Sequence, residues 1–155
     1  MHTRLSMALL VVVCCLLPSC GGETASIERV LKEDAKTMDS ATSIVQVVDR
    51  MRAIDLKGCP RDFTVAYVSH VHAWELMAMV ESEAAAQRAD NASGAALLES
   101  ALRGFLGDPF GKANEMIASE NKLQRDYREA LQQVKLTYDR VENTAVAHGA
   151  RLPKR

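Results

Sequence analysis

The chain lacks the short motifs on which catalysis and metal binding in small proteins usually rest. There is no Glu-x-x-His pair, so the i, i+3 carboxylate and imidazole sets that hold metals inside four-helix bundles cannot be built. His-Glu-x-x-His, Cys-x-x-Cys, Cys-x-x-Cys-His and Gly-x-Ser-x-Gly are also missing. Gly107-x-x-x-Gly111-Lys112 is one residue too short for a phosphate-binding loop and carries Ala113 where a hydroxyl should meet magnesium, so it reads as a loop between helices. Neither sign of charge dominates, with 19 basic and 20 acidic side chains, and a broad nucleic-acid surface needs a basic patch to displace counterions. No run of period-two alternation marks a strand, and no segment repeats. One long apolar run exists, Leu5 to Leu17, and it falls short of the ~20 residues of a transmembrane helix.

What that run does have is the anatomy of an export signal. Arg4 precedes it, and Leu17-Pro18-Ser19-Cys20-Gly21-Gly22 follows. This exit resembles the lipobox of bacterial lipoproteins, an aliphatic residue, two small residues and a Cys that is lipidated and becomes the new N-terminus, with Pro18 departing from the pattern at the second position. The resemblance covers residues 1–22. It implies cleavage after Ser19, acylation of Cys20, and a protein held at the membrane by several chains, each buried CH₂ contributing about 0.8 kcal/mol. Gly21, in place of the Asp that retains enteric lipoproteins in the inner membrane, leans toward the periplasmic face of the outer membrane. Cys14 and Cys15 would leave with the leader, so Cys59 would remain as the one thiol and no intrachain disulfide framework could form. The expected organisation is a signal peptide over 1–19, a lipidated tether over 20–24, a single bundle domain over 25–148 and a basic tail over 149–155 with Arg151, Lys154 and Arg155.

The bundle domain reads as all-α. From 25 to 56, Ile27, Leu31, Ala35 or Met38, Ala41, Val45 and Val48 recur at the three-and-four spacing of one helical face, and Lys57-Gly58-Cys59-Pro60 writes a stop. A second helix over 60–89 is apolar nearly all round: Phe63, Tyr67, Trp74 and Met77 on one side, Val65, Val68, Leu76 and Met79 on the other. That pattern predicts burial by neighbours on more than one side. A short connector helix over 94–105 follows, then a coiled-coil-like seam over 112–147 through Met116, Leu123, Tyr127, Ala130 or Leu131, Val134, Tyr138, Val141 and Ala145. The architecture expected is an antiparallel bundle of three long helices plus one short connector.

The densest cluster of chemically useful side chains is Tyr67-Val-Ser-His70-Val-His72-Ala-Trp74-Glu75. Residues two apart on a helix point about 200° from each other, so His70 and His72 cannot share a metal. His70 lies on the Tyr67/Trp74 stripe, either as a buried imidazole bonded across to Tyr127, Tyr138 or Asp34, or as the lining of a ligand pocket or a proton carrier. His72 and Glu75 are one turn apart and read as a surface ion pair. Cys59 is either a small buried residue or an intermolecular thiol. Met38, Met51, Met77, Met79 and Met116 read as core filler. Haem ligation by Met and His has no support from spacing, since Met116 and His148 are a whole helix apart, and no cofactor is expected.

These features favour a non-enzymatic, lipid-anchored binding or structural module of the cell envelope. Its expected partners are the membrane, through the lipid, and another envelope protein, with no nucleic acid. The alternative is a small-ligand-binding bundle that uses Tyr67, His70 and Trp74. An enzyme acting through His70 would need a second catalytic group beside it.

Overall fold

The structure is a computed structural model that describes residues 20–92 and 111–153. The signal peptide over 1–19 and the connector helix expected over 94–105 lie outside the described residues. Four helices account for nearly all of the rest: α1 (Cys20–Ser40), α2 (Ile44–Arg52), α3 (Arg61–Ala92) and α4 (Gly111–Ala147). The fold is an all-α bundle, as expected.

The first expected rod is two helices. Ser43 adopts an extended backbone, and its hydroxyl accepts from the Gln46 amide; the Gln46 side chain in turn accepts from the Thr42 amide and hydroxyl. This reciprocal cap begins a new helix and turns the chain back on itself. Arg29 near the start of α1 donates to the carbonyls of Asp55 and Lys57 beyond the end of α2, while Arg50 of α2 donates to Ser40 at the end of α1. α1 and α2 are therefore antiparallel. At the other end, α1 is already helical at Cys20, where a tether had been expected.

Gly58, with φ of 83°, carries the chain from α2 toward α3. Pro60 stands before the first turn of α3, and its carbonyl accepts from the Thr64 amide. Antiparallel packing of α3 and α4 is shown by their cross-links. As the α3 residue advances through Asp62, His70, Glu83 and Gln87, the α4 partner falls back through His148, Thr137, Lys122 and Ser119. Gly149, with φ of 75°, ends α4: the Ala150 amide reaches back to the Ala145 carbonyl and the Gly149 amide to that of Val146.

The core is concentrated at one end. Ile27, Leu31, Met51, Phe63, Tyr67 and Val141 draw one residue or more from every helix into a single cluster, and Ala150 closes it behind the α4 cap. A smaller cluster of Ala73, Met77, Ala130 and Val134 continues between α3 and α4. Past it the two helices run on together, with Ala84 buried between them. At 1.5 Å per residue, α3 is about 48 Å long and α4 about 55 Å. The described residues thus form a four-helix, up-down-up-down head that continues as a pair of antiparallel helices.

Three burial expectations fail. α3 is covered on one broad face only: Val65, Val68, Leu76 and Met79 are 49%, 41%, 47% and 59% exposed. Two short helices in the head bury one side of α3 and α4 another, which leaves the second apolar row about half open among the described residues. Met79 lies on that open row and Met38 of α1 on the wall of a cleft toward α4, so both are surface residues, while Met51 and Met77 do fill the core; the Met116 side chain lies outside those described. On α4, Ala130 takes the inward position, and Tyr127 and Leu131 face outward where the α3–α4 pair has outrun α1 and α2.

Candidate functional site

Helical spacing stacks Phe63, Tyr67, His70 and Trp74 into a ladder on the buried face of α3. Phe63 and Tyr67 are stacked with centroids 6.2 Å apart, and Tyr67–His70 and His70–Trp74 meet edge to face at 6.5 and 6.4 Å. Tyr138 of α4 leans on the His70 ring at 5.2 Å. Such pairs add about 0.5–1.5 kcal/mol each beyond the area they bury.

Polar atoms along this ladder are bonded to one another and to neighbouring helices. The Tyr67 hydroxyl donates to Asp34 Oδ1 of α1 at 2.9 Å. Trp74 Nε1 donates to His70 Nε2 at 3.2 Å, so in the neutral ring the proton belongs on Nδ1, which lies 3.0 Å from Thr137 Oγ1. Thr137 passes its own hydroxyl hydrogen to the Gln133 or Val134 carbonyl of its helix. Burial, then the Asp34 charge and its hydrogen bond, push the Tyr67 hydroxyl far above the ordinary tyrosine range. Among the described residues every buried side-chain nitrogen and oxygen has a partner. His70 therefore does bond to another helix, but to Thr137; it is Tyr67 that reaches Asp34.

Of the expected site residues, Tyr67 is fully enclosed, while His70 and Trp74 form the floor of a cleft of about 710 Å³ between α1 and α4. Met38, Leu131 and Tyr138 supply its apolar walls, and Asp34, Asp39, Asp139 and Glu142 outnumber Lys135 around it. Thr137 completes the network without having been singled out, and Asp34, expected as a partner of His70, bonds Tyr67. The signal for Asp34 was a carboxylate on an otherwise apolar row, three residues after Leu31 and four before Met38.

Cys59 is half-buried against the main core, and this burial raises its thiol pKa, against the pull of Arg29 and with the help of Asp55. Cys20 opens α1. His72 does contact Glu75, at 2.9 Å, and Arg52 of α2 joins it at 2.7 Å; these two donors hold the Glu75 carboxyl below its ordinary pKa. His148 does the same for Asp62 across α4 and α3. No three His, Cys, Asp or Glu side chains converge as a metal site would require, and no helix is long and apolar enough to cross a membrane, both among the described residues.

The chain matches no protein-family model, no curated protein and no solved structure.

Proposed function

We propose that the protein is a non-enzymatic binding module of the bacterial cell envelope, held by lipid on Cys20 at the periplasmic face of the outer membrane, with the outer row of α3 as its contact surface. The observation that carries this reading is the row itself. Val65, Val68, Leu76 and Met79 put four large apolar side chains on one side of one helix, all more than two-fifths exposed. Contiguous apolar surface of this kind marks a contact face. The inner constellation supports the non-enzymatic half: Tyr67 is held protonated, and both ring nitrogens of His70 are hydrogen-bonded, one across to Thr137 of α4 and the other to Trp74 one turn on in its own helix.

Palmitate labelling tests the anchor. The wild-type chain is expected to carry label and to sediment with membranes, and Cys20→Ser to lose both. Label-free wild-type protein would remove the lipid from the account.

A second reading is favoured by the cleft over His70 and Trp74. Its aromatic floor and acidic rim suit a small organic cation, through cation–π contact and ion pairing. Protein purified from membranes would then show extra native mass, and Trp74→Ala would lose it. A native mass equal to that of the acylated chain alone would argue against this reading.

A further inference from the structure

The outer row of α3 reads the same from both ends. Arg61, Val65, Val68, His72, Leu76, Met79 and Glu83 follow at intervals of four, three, four, four, three and four, with His72 at the centre. Its two ends carry opposite charge. Near the start of α3, the groove toward α4 is lined by Arg61, Asp62, Val65, Arg140 and Thr144; Asp62 is bound to His148, and neither arginine makes an ion pair among the described residues. Farther along, the groove is lined by Leu76, Met79, Glu83, Asp126 and Glu129. There a single cation, Lys122, is shared between Glu83 and Asp126, and Glu129 pairs with no described cation.

We infer that this face binds a second copy of the chain, packed antiparallel about a two-fold axis at His72. The inference rests on the reading of the row as a contact surface, and it names the occupant. Under that symmetry Val65 meets the partner's Met79, Val68 meets the partner's Leu76, and Arg61 meets the partner's Glu83. The same operation carries Arg140 of α4 toward the partner's Glu129, and brings Leu136, another exposed residue of α4, to the middle of the interface. Arg61, Arg140 and Glu129, which make no ion pair among the described residues of one molecule, each gain an opposite charge from the second, and Glu83, which shares Lys122 with Asp126, gains a further cation. A parallel pairing would oppose arginine to arginine and glutamate to glutamate, which is unfavourable. The two Cys20 ends would lie beyond opposite ends of the paired row, where Arg61 and its mate are about 33 Å apart over the roughly 22 residues from 61 to 83. Both anchors then enter one bilayer with the helices lying along its surface.

Cysteine cross-linking of the full chain in its membrane, in a Cys59→Ser background, tests this. His72→Cys is expected to give a disulfide-linked homodimer well above the parent background. Val65→Cys or Met79→Cys alone should not, because each would lie about 21 Å from its own mate. Co-expressed, those two variants should cross-link to each other. In the His72→Cys protein, Glu83→Arg is expected to lower the yield about tenfold, since symmetry places the reversal in the interface twice, and adding Arg61→Glu should restore it. Equal yields from Val65→Cys and Met79→Cys alone would overturn the antiparallel arrangement. If His72→Cys gives no homodimer, the second copy is wrong, and a photoreactive residue at position 79 then separates two cases. A discrete adduct with a different protein leaves the contact-surface reading standing; no adduct ends both.

Discussion

At the scale of single residues, the molecule is specified by a few polar atoms inside an apolar head. Asp34 is buried and accepts from Tyr67, so Tyr67→Phe takes a donor from a charged acceptor at almost no change in volume. The expected loss is about 1.5–3 kcal/mol in urea unfolding; a change below about 0.5 kcal/mol would mean that this bond does not hold α1 to α3. Cys59, with its thiol pKa raised by burial, is expected to react with iodoacetamide at pH 8 more slowly than the same thiol in urea; equal rates would contradict the packing seen here. Asp62 and Glu75 have lowered carboxyl pKa values, so each adds stability above the ordinary carboxylate range and loses it as pH falls through the lowered value. Acidification from about pH 5 to about pH 3 should therefore cost the wild-type protein more in Tm than the Asp62→Asn/Glu75→Gln variant. Because both carboxylates are at the surface, salt should shrink the difference. These pairings were only partly legible beforehand. His72 with Glu75 follows from one-turn spacing, whereas Tyr67 with Asp34 and His148 with Asp62 depend on how separate helices align.

At the scale of the element, apolar periodicity located the helices well and their interruptions poorly. The row Ile27, Leu31, Ala41, Val48 reads as one continuous face because the apolar spacing runs straight through the corner at 41–43. A sign of the break is written there as Ser43-x-x-Gln46, the pattern of a capping box, which the reading by apolar period passes over. Ser43→Ala is expected to cost about 1 kcal/mol and to loosen hydrogen exchange in the first turn of α2, leaving the α3–α4 pair unchanged. Uniform loss of protection along the chain would show that the corner is not a local cap. The two glycines of positive φ separate backbone strain from crowding. Both Gly58→Ala and Gly149→Ala force an L-residue into the left-handed region, at about 1–2 kcal/mol. A Cβ on Gly149 meets nothing, while one on Gly58 comes within 2.7 Å of the Ser26 hydroxyl and must displace it from the Gly22 carbonyl. The Gly58 variant should be the less stable of the two.

At the scale of the whole molecule, the fold explains why α3 misled the reading of its core. A helix apolar on two sides predicts neighbours on two sides, and the sequence pattern cannot say whether those neighbours belong to the same chain. Here the four helices enclose only the Phe63/Tyr67/His70/Met77 side, and the outer row stays open. The all-α class and the antiparallel packing of the last two helices were legible; the concentration of the core at one end was not, because it depends on α1 and α2 being short. The contact surface is the central claim, and site-specific photo-cross-linking in intact cells tests it most directly. A photoreactive residue in place of Met79 is expected to give one discrete adduct, and the same residue in place of Val146, equally exposed on another side of the molecule, none. Matching adduct patterns at the two positions, or no adduct at Met79, would contradict it.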